Sequence, residues 1–304
     1  MGSDLRLLGV EPSRTGWHRV RRGVWLPPDV WSGLSADDRY AALVFATLLT
    51  CREPERVVLS GYSAAVVWGL PTIGAWPAYM QVHDPDDTIG PSRHIRPQPG
   101  APTEVAWRLG AHVTPPARTV IDLARCASLE TAVAAADHAL RTGLCTTGQL
   151  EAEASSLVPG VRGRGAARLT VDLADGLSGS PGESLSRVQM FRGNFPRPVL
   201  QRRYSDERGL IGYVDFDMPG LIGEFDGRNK YRVPEGASPE EAGEIVWAEK
   251  QREDRLRRHK TVARWIWSTA LDTGALARLL ISHGLRPEPR QSWIPVGGGV
   301  RPRT

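Results

Sequence analysis

The sequence predicts a mixed α+β protein with about two domains. Its 304 residues are 41% hydrophobic and 24% charged, which is typical of a globular chain that buries large cores. Short segments with β-type alternation are interspersed with capped helical segments. A run of small residues at 178–182 interrupts the helical pattern and predicts a domain boundary.

Residues 17–27 show a β-type alternation of side chains on either side of a central Arg21-Arg22-Gly23. This pattern predicts a small β-hairpin with a basic tip. A hairpin of this shape forms the wing of winged-helix DNA-binding domains. The chain before it is too short for the usual helices of such a domain. The hairpin therefore has two interpretations, part of a truncated winged-helix domain or an ordinary surface hairpin. Next, residues 37–49 are predicted to form an amphipathic helix capped by Ser35.

The segment RRGVW at 21–25, followed by VVLSGYSAAVVWGLP at 57–71, resembles the AbiEi-type antitoxin region of bacterial abortive-infection systems. The resemblance covers about residues 17–75 and lacks most of the leading helix-turn-helix of that family. It implies either a DNA-binding transcriptional regulator or a protein that neutralises a partner toxin.

Short β-like pieces are predicted at 79–83 and 104–107. The wide spacing of His83, His94 and His112 favours ordinary histidines over metal ligands. The helices that follow are predicted at 117–127, 129–142, 147–155 and 166–177. Two aspartates on these helices are interpreted as caps or buried hydrogen-bond partners, and they are Asp122 and Asp137.

The cysteines Cys51, Cys126 and Cys145 have no metal-ligand spacing and are odd in number, which indicates a reduced, cytoplasmic protein. The apolar run at 40–49 is too short to span a bilayer, and the N-terminus has no signal pattern, so we expect no membrane association. The net charge is only +4, but arginines occur in clusters. Such patches favour a polyanionic partner, although solvated arginines would give the same pattern.

The C-terminal part predicts the order α-β-β-β-α-β-α, which is a mixed sheet flanked by helices. Ser180 and Pro181 begin the first helix, and Ser238 with Glu241 forms a capping box for a long second one. The remaining elements are strands at 198–204, 213–218, 221–226 and 262–267 and a last helix at 272–283.

Acidic residues alternate along the central hairpin, YVDFDMPGLIGEFD at 213–226. Asp215 and Asp217 share one face of the first strand, and Glu224 and Asp226 share one face of the second. We therefore expect the carboxylates to line a cleft or face solvent. Carboxylates held close together favour Mg²⁺, whereas a solvated acidic face remains the alternative.

The residues after the boundary resemble the PD-(D/E)XK nuclease superfamily, and within it the very-short-patch-repair-like endonucleases. The resemblance covers about residues 180–282. It is carried by Glu183, Val214-Asp215-Phe216, Pro219, Glu224-Phe225-Asp226-Gly227, 228–231, Glu249, Arg252, Leu256 and Arg264. The C-terminal sheet is thus expected to be restriction-endonuclease-like.

The resemblance implies that Asp215 and Glu224 bind Mg²⁺ or Mn²⁺ and that Glu183 assists through a water or a second metal. Asp226 takes the place of the usual lysine, so Lys250 or Arg252 would supply the positive charge. Arg252 shares a helical stripe with Leu256, which predicts that it faces the sheet. The expected contacts to the DNA backbone are Arg187, Arg192, Arg202, Arg203, Arg228 and Lys230.

These observations predict a metal-dependent DNA endonuclease of bacterial defence or DNA repair. The alternatives are a DNA-binding regulator or antitoxin with a degenerate nuclease fold, and a toxin-binding protein. A homodimer is also open. The predicted regions are the antitoxin-like part at 1–117, a helical connector at 118–178, the nuclease-like domain at 179–285 and a disordered tail at 286–304.

Overall fold

A computed structural model describes residues 12–13, 16–83, 90–98, 104–227, 238–290 and 292–294. The described residues form eleven α-helices and three sheets with parallel and antiparallel strands, so the predicted mixed α+β class is confirmed. The chain divides into two compact units, Met1–Val171 and Asp172–Thr304. None of the helices in the described ranges has the length and apolar character of a membrane span.

The first unit begins with the predicted hairpin, in which β1 (His18–Arg21) pairs antiparallel with β2 (Val24–Leu26). Two helices follow, α1 (Pro28–Gly33) and α2 (Ala36–Leu48). The predicted cap of α2 is confirmed, because Ser35 Oγ accepts a hydrogen bond from the Asp38 backbone N–H at 3.1 Å.

A five-stranded sheet forms the centre of the first unit, in the order β5-β4-β3-β7-β6. Its strands are β3 (Val58–Leu59), β4 (Met80–His83), β5 (Ile95–Gln98), β6 (Ala106–Arg108) and β7 (Ala111–Val113). Helix α3 (Gly61–Trp68) follows β3 and ends at Gly69, whose φ of +71° is in the left-handed region that favours glycine. The predicted β-like pieces correspond to β4 and β6, whereas β5 and β7 were not predicted.

The four helices predicted after this sheet are present. They are α4 (Pro116–Ala124), α5 (Leu129–Arg141), α6 (Thr147–Ser156) and α7 (Arg164–Leu173). Helix α4 packs against α3. Asp122 on α4 is fully buried and lies 2.9 Å from His83 Nε2 and 3.0 Å from Arg118 Nε, so it is a buried hydrogen-bond partner as predicted.

The second unit contains a four-stranded mixed sheet in the order β11-β10-β9-β8. Neighbouring strands are antiparallel from β8 to β10, and β10 and β11 are parallel. In chain order its elements are α8 (Pro181–Arg192), β8 (Val199–Asp206), β9 (Gly209–Met218), β10 (Leu221–Phe225), α9 (Pro239–Arg257), β11 (Thr261–Trp265), α10 (Trp267–Leu271) and α11 (Thr273–Ser282). The predicted order of elements is confirmed, with the short helix α10 added.

Helices cover both faces of this sheet. On one face Phe216 stacks on Trp265 at 5.3 Å, and Trp265 Nε1 donates to Ser186 Oγ of α8 at 2.8 Å. On the other face Leu256 of α9 packs on Ile222 and Val262. Phe216 of β9 and Ile222 of β10 therefore lie on opposite faces of the sheet, each on the side of a different helix.

A close approach between α8 and β10 leads to a first prediction. A Cβ at position 182 would lie 2.1 Å from the Phe225 ring, so the helix must move if Gly182 is replaced. We expect Gly182→Ala to lower the free energy of unfolding by about 1–3 kcal/mol, measured by urea unfolding followed by circular dichroism.

Gly243→Ala on α9 is the matched control, because a Cβ there meets no described atom within 4 Å. That change removes a flexible residue from a helix and should stabilise the protein by roughly 0.5–1 kcal/mol. Equal effects of the two substitutions would show that the contact with Phe225 is unimportant.

Candidate functional site

The candidate site lies where β9 and β10 stop pairing. Their register runs from the Leu221–Met218 pair to the Gly223–Phe216 pair. Beyond the last pair, the Phe225 backbone N–H of β10 donates to Oδ2 of Asp215, the next residue of β9 from Phe216, at 2.8 Å. A side-chain carboxylate therefore takes the place of a ladder hydrogen bond at the point where the two strands separate.

Arg252 of α9 bridges this separation. Its Nη2 lies 2.9 Å from Glu224 Oε1 on β10 and 2.9 Å from the Tyr213 carbonyl on β9. Gly212 permits the approach, since a Cβ there would lie 3.1 Å from Arg252 Nε. Burial lowers the pKa of the Arg252 guanidinium, but the hydrogen bond to Glu224 and the negative charges of Glu224 and Glu249 together outweigh it, so the pKa lies above its ordinary value. The predicted position of Arg252 at the sheet is thus found.

Further ion pairs extend from Arg252. Glu249 accepts from Arg252 Nη1 at 3.2 Å and from Arg264 Nη2. Arg264, the register partner of Glu224 on β11, also lies 3.7 Å from Asp226 Oδ1 and 3.0 Å from Glu253 Oε2. With Asp215 and with Arg257, which pairs with Glu253, these side chains comprise five carboxylates and three guanidiniums, a formal charge of −2.

Of the two expected environments, a cleft or solvent, exposure to solvent does not describe Asp215 and Glu224, which are buried. Asp215 is 7% exposed and Glu224 is 4% exposed, and Arg252 of α9 lies against Glu224. Buried carboxylates require cationic partners. Their oxygen atoms are suitable ligands for a hard divalent cation, which takes one or two carboxylates and completes its shell with water and phosphate.

The described residues contain no group of three or more histidine, cysteine or acidic side chains arranged to hold a metal ion. A metal site at this position would therefore have two carboxylate ligands from the described residues, Asp215 and Glu224. The other predicted acids have different partners.

Asp217 is held by three cationic or polar groups at some distance from Arg252. Its carboxylate accepts from Tyr204 Oη at 2.6 Å, from Lys260 Nζ and from Arg202 Nη1 at 2.9 Å. Burial raises the pKa of the Asp217 carboxyl, but the hydrogen bonds from Lys260 and Tyr204 outweigh it, so the pKa lies below its ordinary value. This carboxylate has a structural role.

Glu183 caps α8. Its oxygens accept from the Gly179 N–H at 2.7 Å and from Ser180 Oγ at 2.9 Å, and the predicted assisting role of Glu183 stays a prediction. Gln201 Nε2 donates to the same carboxylate at 3.3 Å. Gln201 lies across from Asp215, between two paired positions of β8 and β9, and has a φ of +49°. The sequence analysis missed it, because only the strand register relates it to Asp215.

The positions of Arg187 and Lys250 do not suit the roles predicted for them. Arg187 is 2% exposed and donates to the Leu173 carbonyl, so it is a buried structural residue instead of a DNA contact. Lys250 is exposed, and its ammonium lies 5.8 Å from the Trp247 ring. It is two residues from Arg252 and thus about 200° around α9, away from Glu224.

The other predicted DNA contacts on α8 and β8 are exposed, namely Arg192, Arg202 and Arg203. Arg228 and Lys230 lie outside the described residues. Their exposure is compatible with contacts to a polyanion, although Arg202 also pairs with Asp217 at 2.9 Å.

Two curated proteins of Mycobacterium tuberculosis are similar to part of this chain. They are the uncharacterized protein MT2308 of strain CDC 1551 / Oshkosh and the uncharacterized protein Rv2248 of strain ATCC 25618 / H37Rv. Each is 30% identical over 167 residues, which is 52% of this chain and 58% of the relative. The match thus spans less than two thirds of either relative. No family model and no solved structure matches the chain.

Proposed function

We propose that the second unit is a metal-dependent endonuclease that hydrolyses phosphodiester bonds in DNA. The observation that supports this most directly is the meeting of Asp215, Glu224 and Arg252 where β9 and β10 separate. Two buried carboxylates on adjacent strands, with a guanidinium beside them, are suited to a cation and a phosphate together. The resemblance of residues 180–282 to PD-(D/E)XK nucleases supports the same function.

Asp215 and Glu224 would hold Mg²⁺ or Mn²⁺, with Asp215 oriented by the Phe225 N–H and Glu224 by Arg252. Such an ion acts as a Lewis acid and lowers the pKa of a bound water. Arg252 would place positive charge beside the scissile phosphate and stabilise the charge that develops there. Glu249 and Arg264 fix Arg252 from the other side and act as positioning residues.

The exposed arginines of α8 and β8 would bind the DNA backbone without reading sequence. They are Arg192, Arg202 and Arg203. Such an enzyme would act in the bacterial cytoplasm, in defence or repair, where its substrate is found and where its three cysteines stay reduced.

The test is nicking of supercoiled plasmid DNA by the purified full-length chain, with Mg²⁺, with Mn²⁺ and with EDTA. We expect nicks to accumulate with either ion and to stop with EDTA. A chain that never nicks DNA, but shifts one operator fragment equally well with and without metal, would instead be a regulator or antitoxin.

A second prediction distinguishes the roles of two basic residues of α9, Arg252 and Lys250. Arg252→Gln should slow nicking by at least about 100-fold, because it removes the preorganised donor beside the phosphate. Lys250→Gln should leave the rate close to that of wild type, since Lys250 faces solvent. Initial nicking rates at saturating Mg²⁺ measure both.

Arg255→Gln is the matched control for Arg252→Gln. Arg255 lies about one turn further along α9 and also binds a carboxylate of the sheet, with Nε 2.8 Å from Asp206 Oδ2. If Arg255→Gln and Arg252→Gln slow nicking equally, loss of any such ion pair explains the effect and Arg252 has no special role.

A further inference from the structure

The first unit contains a basic pocket of about 390 Å³, separate from the residues discussed above. Its walls come from the end of β1, the loop after α2, the 3₁₀ turn Pro54–Arg56 and the start of β5. Three arginines line it, Arg21, Arg52 and Arg56, and Val57 and Ile95 supply an apolar wall. A pocket of this volume accommodates a group of small-ligand size.

The charge of the pocket is unbalanced. Glu53 is the acidic residue of its lining, and it pairs with Arg56 at 3.2 Å. Arg21 and Arg52 thus add two positive charges beyond that pair. Clustered guanidiniums in a concave site attract anions and hold them with charge-assisted hydrogen bonds.

Arg21 gives the strongest indication of a ligand. Its Nη1 atom is buried and meets no hydrogen-bond acceptor among the residues that the structure describes. Burial lowers the pKa of the Arg21 guanidinium below its ordinary value, and the neighbouring Cys51 opposes that shift only in part. A buried donor without an acceptor is costly, so an anion in the pocket would relieve this cost.

Cys51 is also part of the lining. Burial raises the pKa of its thiol, although Arg21 acts in the opposite direction. The thiol is therefore mostly protonated at neutral pH and is a poor nucleophile. This favours binding over covalent chemistry in the pocket.

We propose that Arg21, Arg52 and Arg56 form a binding site for a phosphate group. Arginines from different chain segments around one pocket offer several donors, which suit the several acceptor oxygens of a tetrahedral anion better than the two of a carboxylate. The phosphate can belong to a free phosphate compound or to a nucleic-acid backbone, and the chemistry at the arginines is the same.

Isothermal titration of the full-length chain with inorganic phosphate tests the site, at constant ionic strength and with EDTA present so that no divalent ion contributes. We expect phosphate to bind where chloride does not. Arg21→Gln and Arg52→Gln should each weaken binding by at least about tenfold, since each removes a charged hydrogen bond. Arg52 is exposed, so its replacement tests the site even if Arg21→Gln fails to fold.

Arg22→Gln is the matched control, because Arg22 is exposed on the same hairpin and does not line the pocket. Parallel titrations with adenosine monophosphate and with a short DNA duplex identify the source of the phosphate. Tighter binding of the nucleotide indicates a small phosphorylated ligand, and tighter binding of the duplex that is lost in Arg21→Gln indicates a nucleic-acid backbone. No binding of phosphate by wild type, or equal binding by wild type and both pocket variants, would overturn the proposal.

Discussion

Replacing either carboxylate of the candidate metal site is expected to abolish nicking of supercoiled DNA. Asp215→Asn and Glu224→Gln keep the shape of each side chain but remove the charge that would hold the ion. Both side chains are buried on adjacent strands, so each amide replaces a charged ligand at a position held by the sheet. We expect each variant to lose at least about 100-fold in initial rate, and raised Mn²⁺ to restore part of it in the conservative amide variants.

Asp206→Asn is the control for these variants. Asp206 also lies on the sheet and binds an arginine of α9, but it is held at the far end of β8. Its replacement removes an equivalent ion pair and should leave the metal-dependent rate unchanged. If all three variants nick DNA like wild type, Asp215 and Glu224 are not metal ligands and the proposed activity is wrong.

Replacing Asp217 is expected to cause the largest loss of stability in the second unit. Asp217→Asn leaves Lys260 without its carboxylate and weakens the contacts of Tyr204. Breaking a fully buried ion pair from one side costs about 3–5 kcal/mol, and since the Lys260 side chain is 26% exposed we expect a loss near the lower end of that range, evident as a lower urea midpoint. Arg202→Gln removes the exposed partner of the same carboxylate and should cost at most about 1 kcal/mol.

The stabilising effect of Asp217 should also depend on pH. Its folded pKa is depressed, so the unfolded chain binds the proton more readily than the folded one. The contribution is fully present above the unfolded pKa of about 4 and is lost as the pH falls through the lower folded pKa. The difference in unfolding free energy between wild type and Asp217→Asn should therefore be constant near neutrality and shrink below about pH 4. A difference that grows on acidification would contradict this account.

Much of the second unit could be predicted from local signals. Ser180 with Pro181 and Ser238 with Glu241 mark helix starts, and the observed helices begin at Pro181 and Pro239. The five-stranded sheet of the first unit was harder to predict, because its strands are two to four residues long and too short to show a period. Their pairing depends on contacts between residues far apart in sequence, such as Val58 with His83 and with His112.

The candidate site was predicted in part, for reasons that differ between residues. Helical spacing placed Arg252 on the sheet, and the same spacing places Lys250 on the opposite side of α9. Glu183 is the third residue of a helix that Ser180 begins, which is a capping position visible in the sequence. Burial of Arg187 was not predictable, because its acceptor is a backbone carbonyl at the end of α7.

The position of β8 has a consequence for solubility. It is the outer strand of the four-stranded sheet, next to β9 alone among the described strands, and its outer backbone groups have no ladder partner there. Exposed edges of this kind recruit strands from other molecules and so promote aggregation. Arg203 adds an exposed positive charge to this edge, whereas Arg202 is paired with Asp217, so the charge that would repel a second copy docked edge to edge comes mainly from Arg203.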